Sequence, residues 1–353
     1  MRHQKGSLLI VTLWVLSMLA LFTLAVSAQA RQRLRFIQQF EIRSQLRSAA
    51  DSGILRARQA VFKSKRQQAH SLADSWAYDE GIFKDRMLGN TFFTVRSRSS
   101  QDGSLGYGAV DEARKIDLNK TKSAQVIAGI FEYGAGVSRS QASEIADALL
   151  DWRDEDDSVN AGGAESRYYR TLSPPYECKN KDLDTLEELL LIKGITPEIL
   201  LRVQPYVTVD GEETVNLNTA PGPVLRAMGL SPALTEKILL FRAGRDRKER
   251  TKDDLIFRNP ANLGEDLKQI VPLSAEEKTA LDDFGASGKF GVSSHMFSAV
   301  STGFLQGRKE ALSVECFFSL DGRLRRCREV YHRLDEESGW PWPISKNKSE
   351  EIT

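Results

Sequence analysis

Residues 1–36 read MRHQKGSLLIVTLWVLSMLALFTLAVSAQARQRLRF. After Lys5 no charged side chain occurs until Arg31. As a helix, the run from Gly6 to Ala30 would be roughly 36 Å long, enough to cross a hydrocarbon core about 30 Å thick. The apolar core of a secretory signal reaches only about 15 residues and ends at small ones. The run here is longer, although the small residues from Ala25 to Ala30 leave secretory cleavage open. The helical pattern also outlasts the membrane. Leu34, Ile37, Phe40, Ile42, Leu46, Ala49, Ala50, Ile54, Leu55 and Ala57 recur at helical spacing, with Arg, Gln and Glu between them. One helix is therefore expected from Ser7 to about Phe62, apolar in its first half and amphipathic in its second. Charge does not settle its orientation. Arg2 and Lys5 precede the span, whereas Arg31, Arg33, Arg35 and Arg43 follow it, a count that by itself favours a cytoplasmic C-terminal side.

Beyond this helix the chain reads as globular. It has 49 Lys plus Arg against 48 Asp plus Glu, and a net charge of +1 offers no strong overall field for nucleic acid or acidic membranes. Roughly 290 residues remain, about two domains. Three cysteines are too few for a disulfide scaffold.

Strand patterns flank a helical middle. Thr91 to Ser100 (TFFTVRSRSS) and His295 to Leu305 (HMFSAVSTGFL) are rich in β-branched and aromatic residues. Residues 311–334 read ALSVECFFSLDGRLRRCREVYHRL, in which Asp321-Gly322 signals a hairpin. A two-residue loop there sets Cys316 opposite Cys327 on a hydrogen-bonded pair, within reach of a disulfide. An oxidising compartment would favour the bond. The alternative is two buried thiols, and Cys178 is left alone either way. Helix, strand, helical block and strands in that order indicate an α+β fold with an all-α domain inserted into a sheet domain. Gly- and Ser-rich junctions lie near residues 99–108 and 284–294. The expected boundaries are a leader at 1–6, the long helix at 7–62, sheet-domain parts at 63–110 and 286–334, the insertion at 111–285, and a disordered tail at 335–353.

The insertion contains an internal echo. KIDLNKTKSAQVIAGIF, residues 115–131, matches TVNLNTAPGPVLRAMGL, residues 214–230. Asn119 or Thr121, and Asn218 or Thr219, suit helix N-caps. Second helices follow at Ser138 to Leu150 and Pro232 to Ala243. A third pair turns at Gly194 and restarts at Pro197. Such pairs resemble helix-hairpin-helix and SAM-like units, some of which bind DNA backbone. The turns here, Lys193-Gly194-Ile195-Thr196 and Met228-Gly229-Leu230-Ser231, lack the second glycine of that DNA-binding type. The basic run Arg242 to Lys252 is broken by Asp246 and Glu249 and reads as a solvated surface.

Within the insertion, ALLDWRDEDDSVNAGGAESRYY places Asp151, Asp154, Glu155, Asp156 and Asp157 within seven residues, with Glu165 following. Crowded carboxylates repel unless solvated or bridged by a hard cation such as Ca²⁺, which takes six to eight oxygens. The EF-hand spacing is absent. The alternative is an acidic loop in solvent with Trp152 in the core. Enzyme signatures are lacking: the four histidines (His3, His70, His295, His332) are scattered, and no nucleophile elbow, zinc-helix or phosphate-loop motif occurs.

Lys5-Gly6, followed by an apolar helix that continues as an amphipathic one, resembles the signal of the type IV pilin superfamily. That resemblance implies processing by a prepilin peptidase between Gly6 and Ser7, with the helix retained. It also implies an N-terminus in the cytoplasm and a large domain in the periplasm, despite the charge count. The superfamily's usual glutamate at the fifth mature position is Val11 here, a departure shared with the general secretion pathway protein K family, the minor pseudopilins of type II secretion. Members carry a similar helical insertion and a pattern that matches Asp151, Trp152, Asp154, Asp156, Gly163, Ala164 and Glu165. The resemblance covers the chain to about Leu334. It implies a calcium site at Asp151, Asp154, Asp156, Asp157 and Glu165. It further implies a place at the tip of a periplasmic pseudopilus anchored in the bacterial inner membrane, partnership with other minor and major pseudopilins, no nucleic acid and no enzymatic activity. The competing reading is a membrane-anchored DNA-binding protein of competence or a type IV pilus minor pilin.

Overall fold

One uninterrupted helix, α1 (Lys5–Lys63), organises the sheet domain. The computed structural model describes residues 5–98 and 105–333, so residues 1–4 of the leader and the 335–353 tail lie outside the described residues. Gly6 and Ser7 fall in the first turn of α1. The helix is long and apolar enough to cross a membrane, and the apolar window that meets this test is wholly exposed. The change of environment comes near Ile42. From there Leu46, Ala49, Ala50, Ile54, Ala57 and Val61 turn one face onto a sheet. Those residues are mostly small, which brings the backbones close. A Cβ on Gly303 would overlap the Leu46 carbonyl, and one on Gly53 would overlap the Ser301 hydroxyl.

After α1 come a short helix, α2 (Glu80–Phe83), and four strands: β1 (Arg86–Leu88), β2 (Thr91–Arg98), β3 (Leu105–Gly106) and β4 (Val110–Asp111). The chain then leaves the sheet. The insertion runs through β5 (Ile116–Asp117), α3 (Ala124–Ala135), α4 (Arg139–Arg153), α5 (Ser166–Tyr169), α6 (Pro197–Val203), β6 (Val207–Thr208), β7 (Val215–Asn216), α7 (Gly222–Ala227), α8 (Pro232–Arg242), α9 (Leu263–Lys268), α10 (Ala275–Ala286) and β8 (Phe290–Gly291). The sheet resumes with β9 (Met296–Leu305), β10 (Glu310–Ser319) and β11 (Leu324–Arg333). Its order is β1-β2-β9-β10-β11, every pair antiparallel, with β4 joining β9 at Asp111 opposite Phe297. The core under α1 is completed by Trp76, whose ring stands edge-on to Phe297 at 5.0 Å. A second, separate core fills the insertion.

The hairpin differs from the expectation in one respect. Its loop has three residues, Leu320-Asp321-Gly322, closed by the Ser319 N–H on the Arg323 carbonyl at 2.9 Å, with Gly322 at φ +82°. A left-handed residue in third place is what glycine supplies here. The one-residue offset is absorbed by a bulge between the pairs Phe317–Arg326 and Phe318–Leu324. Cys316 still faces Cys327, but with Cα atoms 4.2 Å apart, the closer non-hydrogen-bonded spacing, and the structure joins the two sulfurs.

The insertion extends over 112–295 rather than 111–285, and it is not purely helical. Two-residue parallel bridges pair β5 with β6 and β7 with β8. They are too short to leave a period in the sequence. They also show that the echo is a duplicated unit. In each copy a strand leads into a helix pair, a loop returns, a second helix pair follows, and a closing strand lies parallel to the first. Asn119 and Asn218 are not caps, as expected, but clamps. The Asn119 amide donates to the Leu183 carbonyl at 2.9 Å and accepts from the Leu183 N–H at 2.8 Å. Asn218 does the same with Phe257 at 2.9 and 2.8 Å. Ser123 caps α3 instead, and Pro221 precedes α7.

Polar contacts join insertion to sheet. Asp111, fully buried, accepts hydrogen bonds from the Thr219 hydroxyl at 2.6 Å, the Ser294 hydroxyl at 2.7 Å, Asn216 Nδ2 at 3.0 Å and the Ala113 N–H at 2.8 Å. Burial pushes its carboxyl pKa up, and the hydroxyl donors oppose the rise. On the sheet's other face, Arg326 pairs with Asp210 at 2.7 Å and Arg328 with Glu187 at 2.6 Å.

Candidate functional site

The acidic loop starts where α4 ends. α4 turns Asp151 inward, and the loop then folds back over it. Asp151 is wholly buried. Its carboxylate accepts Asn160 Nδ2 at 2.5 Å, the Asn160 N–H at 3.2 Å and the Ala164 N–H at 2.8 Å. Gly163 lies so close that any Cβ there would overlap Asp151 Oδ2. Asp147, one helical turn earlier, accepts the Gly162 N–H at 2.9 Å. Lys193 closes the far side by donating to the Gly162 and Gly163 carbonyls, both at 3.0 Å. The DW and GGA segments are thus two halves of one backbone lock.

The other expected ligands divide. Glu165 is buried beside the Cys178 thiol, and neither of its carboxylate oxygens has a nitrogen or hydroxyl donor among the described residues. The same holds for Asp154 Oδ1 and Asn180 Oδ1. Asp156 accepts the Ser158 N–H at 2.7 Å, and Asp157 is exposed. Burial, foremost, pushes the carboxyl pKa of Asp151, Asp154 and Glu165 up. The charges of Asp156 and Asp151 add to the rise at Asp154, and those of Asp151 and Asp154 to the rise at Glu165. Among the described residues no three His, Cys, Asp or Glu side chains converge closely enough to hold an ion as they stand.

Two neighbours leave little trace in the sequence. Asn180 adopts φ +50° and donates from Nδ2 to the Asp156 carbonyl at 3.2 Å. Its only sequence trace is an Asn in a polar loop. Cys178 directs its thiol to the Asp151 carbonyl at 3.5 Å, and burial beside Glu165 pushes its pKa up to about 12.

Several residues of the hairpin turns and the basic run are taken up by the fold. Gly194 and Gly229 take φ +85° and +108°, but Ile195 and Leu230 beside them are buried in the helical core. Lys193 is committed to the acidic loop. Arg242 is buried, bonded to Glu249 and to the Leu217 and Ala220 carbonyls.

A sequence profile for the family described as Type II secretion system (T2SS), protein K, matches residues 114–211, the first of the two units. The chain is 26% identical over 231 residues to type II secretion system protein K of Aeromonas hydrophila, covering 62% of this chain and 68% of that protein. The chain is similar to type II secretion system protein K. A putative protein K of Escherichia coli K-12 is 37% identical over 113 residues, about a third of either chain. In fold, the protein is similar to a chain of the crystal structure of the GspK-GspI-GspJ complex from the enterotoxigenic Escherichia coli type 2 secretion system. The TM-score is 0.60 at 17% identity, over 85% of this chain and 99% of that one.

Proposed function

We propose that this protein acts as a minor pseudopilin at the tip of a periplasmic pseudopilus, initiating assembly with other minor pseudopilins and the major one. The role is assembly, without chemistry of its own. The observation that carries the reading is α1: a single helix whose exposed apolar half suits a membrane and then a filament core, while its other half forms one wall of the folded domain. Val11 at the fifth mature position lacks the carboxylate that would pair with a neighbour's N-terminus, which suits a terminal subunit. The test is co-purification of the full chain with I-type and J-type minor pseudopilins of its own system, together with restoration of secretion in a strain lacking protein K. Failure to form that complex by folded, membrane-inserted protein would overturn the reading.

In this reading the N-terminus is cytoplasmic and prepilin peptidase cuts between Gly6 and Ser7. Gly6→Arg should block maturation, and N-terminal sequencing should find Ser7. A start near Gln29 or Arg31 would identify a secretory signal instead. In an oxidising periplasm Cys316 and Cys327 form their disulfide.

The acidic loop fits a hard cation through its unmatched oxygens. Glu165, Asp154 Oδ1 and Asn180 Oδ1 would hold Ca²⁺, with Asp156 and Asp157 supplying further oxygens after a small shift of their exposed loop. Asp151 orders the backbone around them. A bound Ca²⁺ would neutralise the crowded carboxylates and fix the loop.

A further inference from the structure

Arg31, Arg33 and Arg35 begin one residue past the apolar run, and all three are exposed. At about 1.5 Å per residue, Arg35 lies about 7 Å beyond Ala30. The headgroup layer on each side of a bilayer is about 5–7 Å deep. A run of about 36 Å centred on a core of about 30 Å carries Ala30 about 3 Å past the hydrocarbon edge and the Arg35 backbone about 10 Å past it; helical side chains lean back toward the N-terminus, so the long arginine stems return the guanidinium groups to headgroup depth. Arg31 and Arg35, four positions apart, share a face, while Arg33 points to the opposite side. No acidic residue occurs between Lys5 and Glu41. None of the three arginines has an ion pair among the described residues. Three of the next four arginines along α1 differ. Arg43 pairs with Glu329 at 2.9 Å, Arg47 pairs with Asp51 at 3.0 Å and also meets Glu329, and Arg58 donates to the Gly322 carbonyl at 2.9 Å. Those three serve the fold and the first three do not.

We propose that Arg31, Arg33 and Arg35 form a collar that binds the phosphates of anionic phospholipids in the leaflet from which the soluble domain emerges. The planar guanidinium matches a phosphate with two parallel N–H donors. Each arginine at an anionic surface contributes about a fivefold preference at low ionic strength. An acidic protein surface is the less suitable partner, because the collar lies at headgroup depth. The proposal rests on α1 being a membrane anchor.

The experiment places full-length protein in nanodiscs of equimolar phosphatidylcholine and phosphatidylglycerol and counts co-ejected lipids by native mass spectrometry. Wild type should retain phosphatidylglycerol at least about fivefold over its bulk share. The variant R31Q/R33Q/R35Q should fall to near the bulk ratio with an unchanged melting temperature. R2Q/K5Q, altered at the other leaflet, should keep most of the excess. Retention of the full excess by the triple variant would overturn the proposal, as would loss of pseudopilin binding with lipid retention unchanged, which would assign the collar to a protein. If wild type does not enter the discs, the anchor reading falls as well. If it enters without lipid preference, only the collar does.

Discussion

Loops 154–182 and 244–256 hold equivalent places in the two units of the insertion. Each leaves the second helix of its unit and returns to a segment gripped by an asparagine, Asn119 or Asn218. The second loop satisfies itself. Asp253 accepts the Arg245 N–H at 2.8 Å, the Asp246 N–H at 3.0 Å and the Thr251 hydroxyl at 2.7 Å. Asp254 accepts the Arg250 N–H at 2.7 Å. The Thr251 hydroxyl, foremost, and these N–H groups hold the Asp253 pKa down to about 2. The first loop satisfies Asp151 in the same manner but leaves Asp154, Glu165 and Asn180 with unmatched oxygens. One skeleton thus carries a loop that is complete without help and a loop that leaves carboxylate and amide oxygens unmatched.

The clamps give the sharpest way to break this equivalence. Asn218 and the Phe257 backbone it grips are buried, and Asn218→Ala leaves a donor and an acceptor unmatched at about 1–3 kcal/mol each. We expect a loss of about 3 kcal/mol by urea denaturation. Asn119→Ala, at a half-buried clamp, should cost about 2 kcal/mol. A negligible effect at both positions would dissolve the duplicated unit as an energetic entity.

Calcium should separate the loops. At a hundredfold excess over Kd, a ligand specific to the folded state adds about 2.7 kcal/mol, or about 5–10 °C in melting temperature for a domain of this size. D154A/E165A should abolish that shift. D253A/D254A should lower the starting temperature and keep the calcium increment. An increment absent from wild type would leave the first loop merely acidic. Mg²⁺ should substitute poorly, since it demands a smaller octahedral shell.

The size of the calcium effect should itself depend on pH. Asp154 and Glu165 have pKa values raised in the folded chain, so folding takes up protons there. Without metal, the loop's contribution to stability is fully present below the unfolded value of about 4 and is lost as pH rises through the raised folded values. Ca²⁺ needs both groups ionised. The melting increment should therefore grow between pH 4.5 and 7.5 in a calorimetric series, about twofold or more. An increment independent of pH would remove these carboxylates from the site.

The smallest effect expected is on Cys178. With its pKa pushed up to about 12, it should react slowly with iodoacetamide at pH 8, and more slowly still once calcium fixes the loop. In the same unreduced digest, Cys316 and Cys327 should appear as one linked pair. Three alkylated cysteines would refute the bond.

Much of the architecture was legible because its signals are local and long. The apolar-to-amphipathic run defined α1, and Asp321-Gly322 marked the hairpin. The loop length there was misjudged because one bulge hides a one-residue offset. Asn119 and Asn218 were mistaken for caps because their side chains suit either role, and their partners lie 64 and 39 residues away. The acidic motif marked the loop that folds back over Asp151. Sequence could not show that Asp151 faces backbone N–H groups, or that Asn180 joins from across the loop, since both depend on the returning chain.

The path of the chain through the sheet also orders its folding in time. β2 and β4 wait for β9, which follows roughly 185 residues after β4. At about 5–20 residues per second of synthesis, that is a delay of about 10–40 s. Both units of the insertion draw their core from residues 116–290 alone, so they can close first. During that interval α1 has an apolar stripe and no sheet to cover it. The helix that begins the molecule is the last part to find its wall.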